Sequence, residues 1–392
     1  MVESSNYAIG DDQKDSRLNS LLTWIDENAE AMLTHPNAGL EAIGVGRKNA
    51  DDLKDDSCDW CIVGFVKRKI PEKKLTRNNV TAFASVASAA SATSPALGAP
   101  EMDVVETGGA FSPLPGLSVP IAQRGAYGGP PPSVDFQKRF DALRIGLGIT
   151  NPVGAYPNSL GVGTLGFFIR DGAGNIHLVS NNHVIGDENG ARVGNAVVQP
   201  GTLDLTNTEL QVMNTSSKLR NRLQIAKVSS VVDIDFRAGQ LNEVDVATAE
   251  LGDERDQSLL ARIGFGSLVQ GIAPPYTVDA AGAVQGETRV YKAGRTTGWT
   301  EGRVSAIGVV STVAYTTGPA RFRNQIAIVP SADNDGPFSD RGDSGSGIVD
   351  IDNNLIGLLF AGSSAHTLAN PIGLVMSAIQ NELNAGPLTL VT

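Results

Sequence analysis

From residue 145 to the end of the chain, short β-branched or apolar runs alternate with turns of Gly, Asn and Asp: TLGFFIRDGAGNIHLVS, ARVGNAVVQPG, RVYKAGRTTGWTEGRVSAIGVV, QIAIVP and SGIVDIDNNLIGLLFAGS. All of these read as β. A strand of this kind buries its apolar face only against a second layer, so turns at this spacing predict a sandwich or a pair of small barrels. The 44 Gly and 20 Pro, with 41% hydrophobic residues, suit strands and turns better than a coiled coil or a disordered tail. One helical pattern closes the stretch, where PIGLVMSAIQNELN spaces Ile372, Val375, Ile379 and Leu383 at three- and four-residue steps.

The front of the chain is patterned differently. Leu18, Leu21, Leu22, Ile25, Ala29 and Met32 recur at helical steps between Arg17 and Leu33, with Asp15 or Ser16 as the cap. Two β-rich stretches follow, LEAIGVGRK and CIVGFVKRKI, separated by the polar NADDLKDDS, and later the strand-like MDVVETG. Residues 82–100 are rich in Ala, Ser and Pro and read as a flexible connector, and RGAYGGPPPSVDF at 124–136 marks a second boundary. A chain of 392 residues is expected to hold two or three domains. The division that follows is a small α/β module over 1–80, a linker with a short strand segment over 81–144, and the β-rich domain over 145–392.

Charge and cysteine usage exclude several functions. The formal charge of −11 leaves no basic field for a nucleic acid backbone or an anionic membrane. Cys58 and Cys61 are the only cysteines, so no disulfide framework exists, and a reducing compartment is the simpler home. The opening MVESSNYAIGDDQKDS carries acids and no apolar run, which argues against a secretory signal or an anchor. A cytoplasmic location is therefore expected.

Acyl transfer from an amide needs a hydroxyl nucleophile, a neutral imidazole, a carboxylate to hold its tautomer, and donors for the oxyanion. Three contexts supply them. HLVSNNHVIGDENG presents His183 at the end of a strand, whereas His35, His177 and His366 have no such setting. VDVATAEL places Asp245 at the start of an apolar strand, with Asp233 and Asp235 of VVDIDF as competitors. GPFSDRGDSGSGIVDIDNN is the most specific signal: Gly342 and Gly345 free the backbone around Ser344 so that successive N–H groups can converge on one point.

SNNHVI, VDVATAEL and RGDSGSG resemble the His, Asp and Ser motifs of chymotrypsin-like (trypsin-like) serine proteases, with separations of 62 residues from 183 to 245 and 99 from 245 to 344. LVSNNHVI, VVQPGTLD, KAGRTTGWTEGRV, GDSGSG and GLLFAGSSAHTLANPI are similar to an intracellular bacterial branch of trypsin-like peptidases that includes the plant NARROW LEAF type of protein. The resemblance covers most of residues 150–380. It implies a mainly β, chymotrypsin-like double barrel over 145–392, with two six-stranded barrels and a cleft between them. It also implies His183 as general base, Asp245 as its partner, Ser344 as nucleophile, the amides of Gly342 and Ser344 as the oxyanion hole, and Asp343 as the brace of that loop. The specificity pocket implied comprises Phe338, Phe360, Ala361 and Gly362. Asn182 replaces the small residue usual before the catalytic histidine.

The expected function is that of a serine endopeptidase acting on polypeptides through an acyl-enzyme, with no cofactor and no metal. A protease-fold scaffold with little turnover is the alternative, and an esterase on the same triad a third reading. A protein partner or a second copy is left open for the front module. Three short motifs are decoys. GVGTLG at 161–166 lacks the helix a dinucleotide site needs, Arg341-Gly342-Asp343 lies in the oxyanion turn, and Cys58-Asp59-Trp60-Cys61 has no second ligand pair.

Overall fold

A computed structural model describes residues 13–35, 38–47, 60–69, 102–113, 135–139, 143–152, 162–216, 222–251, 271–272, 289–331 and 336–391. The front of the chain forms α1 (Gln13–Thr34), β1 (Leu40–Arg47), β2 (Trp60–Val66), β3 (Met102–Glu106) and β4 (Ser112–Pro113). Next come β5 (Gly148–Ile149), β6 (Gly163–Thr164), β7 (Phe167–Arg170), β8 (Ile176–Ser180), β9 (Ala196–Val198), α2 (Asn207–Thr215), β10 (Gln224–Val231) and β11 (Ala247–Leu251). The remainder comprises β12 (Gly271–Ile272), β13 (Arg289–Gly294), β14 (Gly298–Ala314), β15 (Pro319–Pro330), β16 (Gly347–Val349), β17 (Asn354–Gly362), β18 (Thr367–Pro371), α3 (Ile372–Leu383) and β19 (Thr389–Leu390).

Both sheets close on themselves. In the first, antiparallel pairs run β9, β10, β11, β8, β7. β6 leads into β7 through Leu165–Gly166 and pairs with β5, and a bridge from Thr150 to Val198 returns the ring to β9. In the second, β13, β16, β17, β18, β15 and β14 pair in that order, and β14 pairs back onto β13. Closure removes the exposed edges that open sheets leave. The mainly β, chymotrypsin-like double barrel expected from the sequence is what the strand pairing forms.

β14 is 17 residues long, and this length joins the front module to the second barrel. Residues 298–303 pair with β13, whereas Ala306–Ser311 pair with β1, which is followed outward by β2 and β3. α1 lies across this extension. The residues of its stripe are all buried, as is Trp24, and they share one core with Ile43, Val45, Ile307, Val310, Ile326 and Ile328. Each Leu, Ile, Val or Met among them contributes ~1.5–3 kcal/mol by leaving water. The helix already includes Gln13, so Asp15 and Ser16 lie within it rather than at its cap. At the other end, α3 buries Ile372, Val375 and Ile379 and stops at Asn384, which has a left-handed φ of 46°. Among the described residues no helix is long and apolar enough to cross a membrane. The connector at 82–100, the NADDLKDDS segment, Cys58 and most of 124–136 lie outside the described residues.

Candidate active site

His183 follows β8 in a single π-helical turn, Asn182–Gly186. Asp187, Glu188 and Asn189 come next with φ of 54°, 49° and 76°, three left-handed residues in succession. Such a run costs free energy and persists only where its surroundings over-determine it. Here Asn182 and Asn189 supply the determination. Asn182 Nδ2 donates to Asn189 Oδ1 at 2.6 Å and to Val232 O at 2.7 Å, and Asn189 Nδ2 donates to Ile234 O at 2.8 Å. The residue that departs from the usual histidine motif thus locks the turn that carries His183.

Asp245 is fully buried just before β11. Its Oδ2 accepts from His183 Nδ1 at 2.6 Å and from the Tyr315 hydroxyl at 2.8 Å, and its Oδ1 accepts from the His183 amide at 3.2 Å. Its backbone is pinned as well: its N–H donates to Asn370 Oδ1 at 3.0 Å and its carbonyl accepts from Asn181 Nδ2 at 2.7 Å. A carboxylate only accepts, so the proton of a neutral His183 ring sits on Nδ1 and the Nε2 lone pair is left for chemistry. Nε2 has no hydrogen-bond partner among the described residues. The competing acids stand elsewhere. Asp233 is exposed, and Asp235 pairs with Arg237, whose guanidinium holds its carboxyl down to about 2.

Ser344 is buried in a turn whose flanking glycines have φ of 102° at Gly342 and 94° at Gly345, a region that side chains with a Cβ rarely enter. Its Oγ donates to Phe360 O at 3.3 Å. The turn is held from the first barrel by Thr164, whose N–H donates to Ser344 O at 2.7 Å and whose Oγ1 donates to Gly342 O at 2.8 Å. This contact explains the GVGTLG segment. A Cβ on Gly163 would lie 2.7 Å from Ser344 O, and one on Gly166 would lie 2.3 Å from Gly345 O, so these glycines let one barrel's backbone meet the other's turn.

Asp343 is buried beside the turn and is well supplied with donors. Its Oδ1 accepts from the amides of Thr296 (2.8 Å) and Thr297 (3.2 Å), and its Oδ2 from Thr297 Oγ1 (2.6 Å) and the Asp340 amide (3.0 Å). Lys292, wholly buried on β13, brings its Nζ to 3.4 Å from Asp343 Oδ2, above the Phe338 ring. Burial pushes the Lys292 ammonium below the ordinary lysine value, with Asp343 working against the shift. Lysine inside the apolar RVYKAG run was the available signal for this pair, and sequence reasoning gave Lys292 no role. Tyr315 and Asn370 had no signal at all, because nothing local ties them to Asp245.

The four residues assigned to a pocket are placed as follows. Phe338 is 1% exposed and packs in the core of the second barrel. Phe360 is buried with its ring against Phe322, and it meets Ser344 through its carbonyl. Ala361 and Gly362 follow on β17, where β4 pairs with them.

A second Ser–His–Asp array sits in the first barrel. His177 Nε2 lies 3.2 Å from Asp171 Oδ2 and Nδ1 lies 2.9 Å from Ser229 Oγ. Ser229 also meets Thr248 Oγ1 at 2.8 Å and stands in the middle of β10, without a glycine turn to aim amides at it. The same three residue types here tie neighbouring strands together.

No family model matches the chain, and no curated protein does. Among solved structures it is similar to Protease A of Thermobifida fusca, at 16% identity and a TM-score of 0.35 over 59% of this chain and 92% of that one. It is also similar to the Nocardiopsis protease NAPase, at 18% identity and a TM-score of 0.35 over 64% of this chain and 100% of that one. The Cellulomonas bogoriensis chymotrypsin aligns at 19% identity and a TM-score of 0.33, over 58% of this chain and 90% of that one. Likeness at these scores carries no weight for activity.

Proposed function

We propose that the chain is a serine endopeptidase that cleaves polypeptides through an acyl-enzyme, with His183, Asp245 and Ser344 as its triad. One observation carries this reading: a buried carboxylate holds Nδ1 of His183 at 2.6 Å and leaves Nε2 unbonded, in a molecule that also sets Ser344 on a glycine-flanked turn. The Ser344 proton passes to Nε2 while Oγ forms a bond to the scissile carbonyl carbon and the carbonyl π pair moves onto oxygen. The amides of Gly342 and Ser344 are the donors for that oxyanion, and Asp343 with Lys292 keeps their turn in place. Collapse returns the electron pair, breaks the C–N bond and takes the proton from His183 to the leaving amine. Water then repeats the sequence against the acyl-enzyme. The first step requires Ser344 Oγ to leave Phe360 O for His183 Nε2, since hydrogen bonds of this kind commonly tighten only with substrate present.

A fluorophosphonate probe tests the assignment. Folded wild-type protein is expected to label at Ser344, with labelling abolished in Ser344→Ala and sharply reduced in His183→Ala. Peptide hydrolysis should fall by about 10⁴-fold or more in Ser344→Ala with an unchanged melting temperature. Folded protein that takes no label would leave the scaffold reading in its place. Label with ester but not peptide turnover would make the chain an esterase.

A further inference from the structure

The edge of β17 that leads away from the nucleophile is already taken by the chain itself. One edge of this strand pairs with β18 from Gly357 through Gly362. The other carries β16 as far as Leu358, continues through Gly345 N–H to Leu359 O at 2.8 Å and Leu359 N–H to Ser346 O at 2.9 Å, and meets Ser344 Oγ at Phe360 O. β4 occupies the next two positions, Pro113 opposite Ala361 and Ser112 opposite Gly362. Because β18 fills the far edge at these residues, β4 lies on the nucleophile's side.

Direction matters as much as place. β4 runs antiparallel to β17, so a chain laid on this edge in its sense advances from Gly362 toward Phe360, that is, toward Ser344. Pro113 brings no N–H, and in an antiparallel ladder the exchange of hydrogen bonds then falls to Ser112 and Gly362. The seat is anchored on two sides. Phe111 is fully buried, with its ring edge-on to Phe65, and its carbonyl accepts from the Ala314 amide at 3.1 Å. Ser364 Oγ, just past β17, donates to Thr107 O at 3.1 Å.

We propose that Ser112–Pro113 is an internal pseudosubstrate strand, holding the main-chain edge at Ala361–Gly362 that an extended polypeptide substrate needs, so that turnover of long substrates requires this segment to withdraw. This rests on the endopeptidase reading above. Strand addition uses the main-chain groups of one edge and admits one occupant at a time. The apparent affinity for substrate is then lowered by the fraction of molecules whose edge is open.

The test uses the full chain with Phe111→Ala, which removes the anchor, and Ser112→Pro, which removes the backbone donor and leaves the core intact. Each is expected to raise kcat/KM on a four-residue peptidyl anilide by about tenfold or more, while fluorophosphonate labelling of Ser344, which needs no strand edge, changes by less than about threefold. In a Ser344→Ala background, a fluorescent peptide with the sequence of residues 109–113 should bind about tenfold tighter once either change is made. Unchanged hydrolysis together with unchanged peptide affinity in folded Ser112→Pro overturns the proposal. If wild type and variants alike take no label, the endopeptidase reading fails and the peptide-binding measurement decides the strand by itself: tighter binding supports it, equal binding ends it. Should Phe111→Ala not fold, Ser112→Pro alone decides.

Discussion

Tyr315 donates to the same Asp245 oxygen that receives the proton-bearing nitrogen of His183, and its ring stands edge-on to the imidazole at 5.9 Å. Burial, followed by the nearby Asp245 charge, raises its phenol well above its ordinary value, so it remains a donor across the working range. Removing it in Tyr315→Phe takes one donor from the carboxylate. Its hold on the imidazole then changes, and kcat should fall by about tenfold, as expected for one bond to a charged group. An unchanged kcat in folded Tyr315→Phe would make the tyrosine structural only. Lys292 makes a second residue-scale case. Its depressed value means that it loses its proton, and Asp343 its counter-charge, at a pH below 10.5. With the folded value lowered, the unfolded chain holds more protons in that window, so linkage itself favours the fold as pH rises. Alkaline loss of labelling should thus precede unfolding, and Lys292→Met should show that loss already at neutral pH while the protein stays folded by its melting temperature.

At the level of elements, the hairpin between β14 and β15 carries Tyr315 to Asp245 and is clamped at its tip. Glu188, in the left-handed run behind His183, accepts from the amides of Thr316 at 3.1 Å and Thr317 at 2.7 Å. Glu188→Ala should speed hydrogen exchange at those two amides and weaken the clamp by about 1 kcal/mol, with little change in melting temperature. Elements differed in how well the sequence announced them. The stripes of α1 and α3 were legible because six and four apolar positions, respectively, keep one period over several turns. β4 was invisible because two residues define no period, and its partner strand lies some 250 residues away.

For the molecule as a whole, the two barrels are cross-linked by Arg295, in the turn after β13, and Asp204, in the short 3₁₀ segment after β9. Arg295 Nε donates to Asp204 Oδ2 at 2.8 Å, and its Nη2 contacts Oδ1, with both side chains buried. The Arg295 amide also donates to Thr164 Oγ1 at 3.0 Å, the hydroxyl that holds Gly342 O. Asp204→Ala leaves a buried guanidinium unpaired and should cost ~3–5 kcal/mol. Denaturant unfolding of Asp204→Ala, Arg295→Met and the double variant should show the double variant less destabilised than the sum of the two.

Local chemistry in the sequence was enough to mark a β-rich chain, two helices and the candidate residues His183, Asp245 and Ser344, since strand alternation, helical stripes and a glycine-flanked serine are all properties of neighbours in the chain. Tertiary structure alone decided which acid faces His183, which carboxylates Lys292 and Tyr315 meet, that β1–β3 extend the second barrel through β14, and that β4 lies on the edge beside Ser344. Those outcomes depend on contacts between residues far apart in sequence, set by how two closed barrels pack, and no window of adjacent residues contains them.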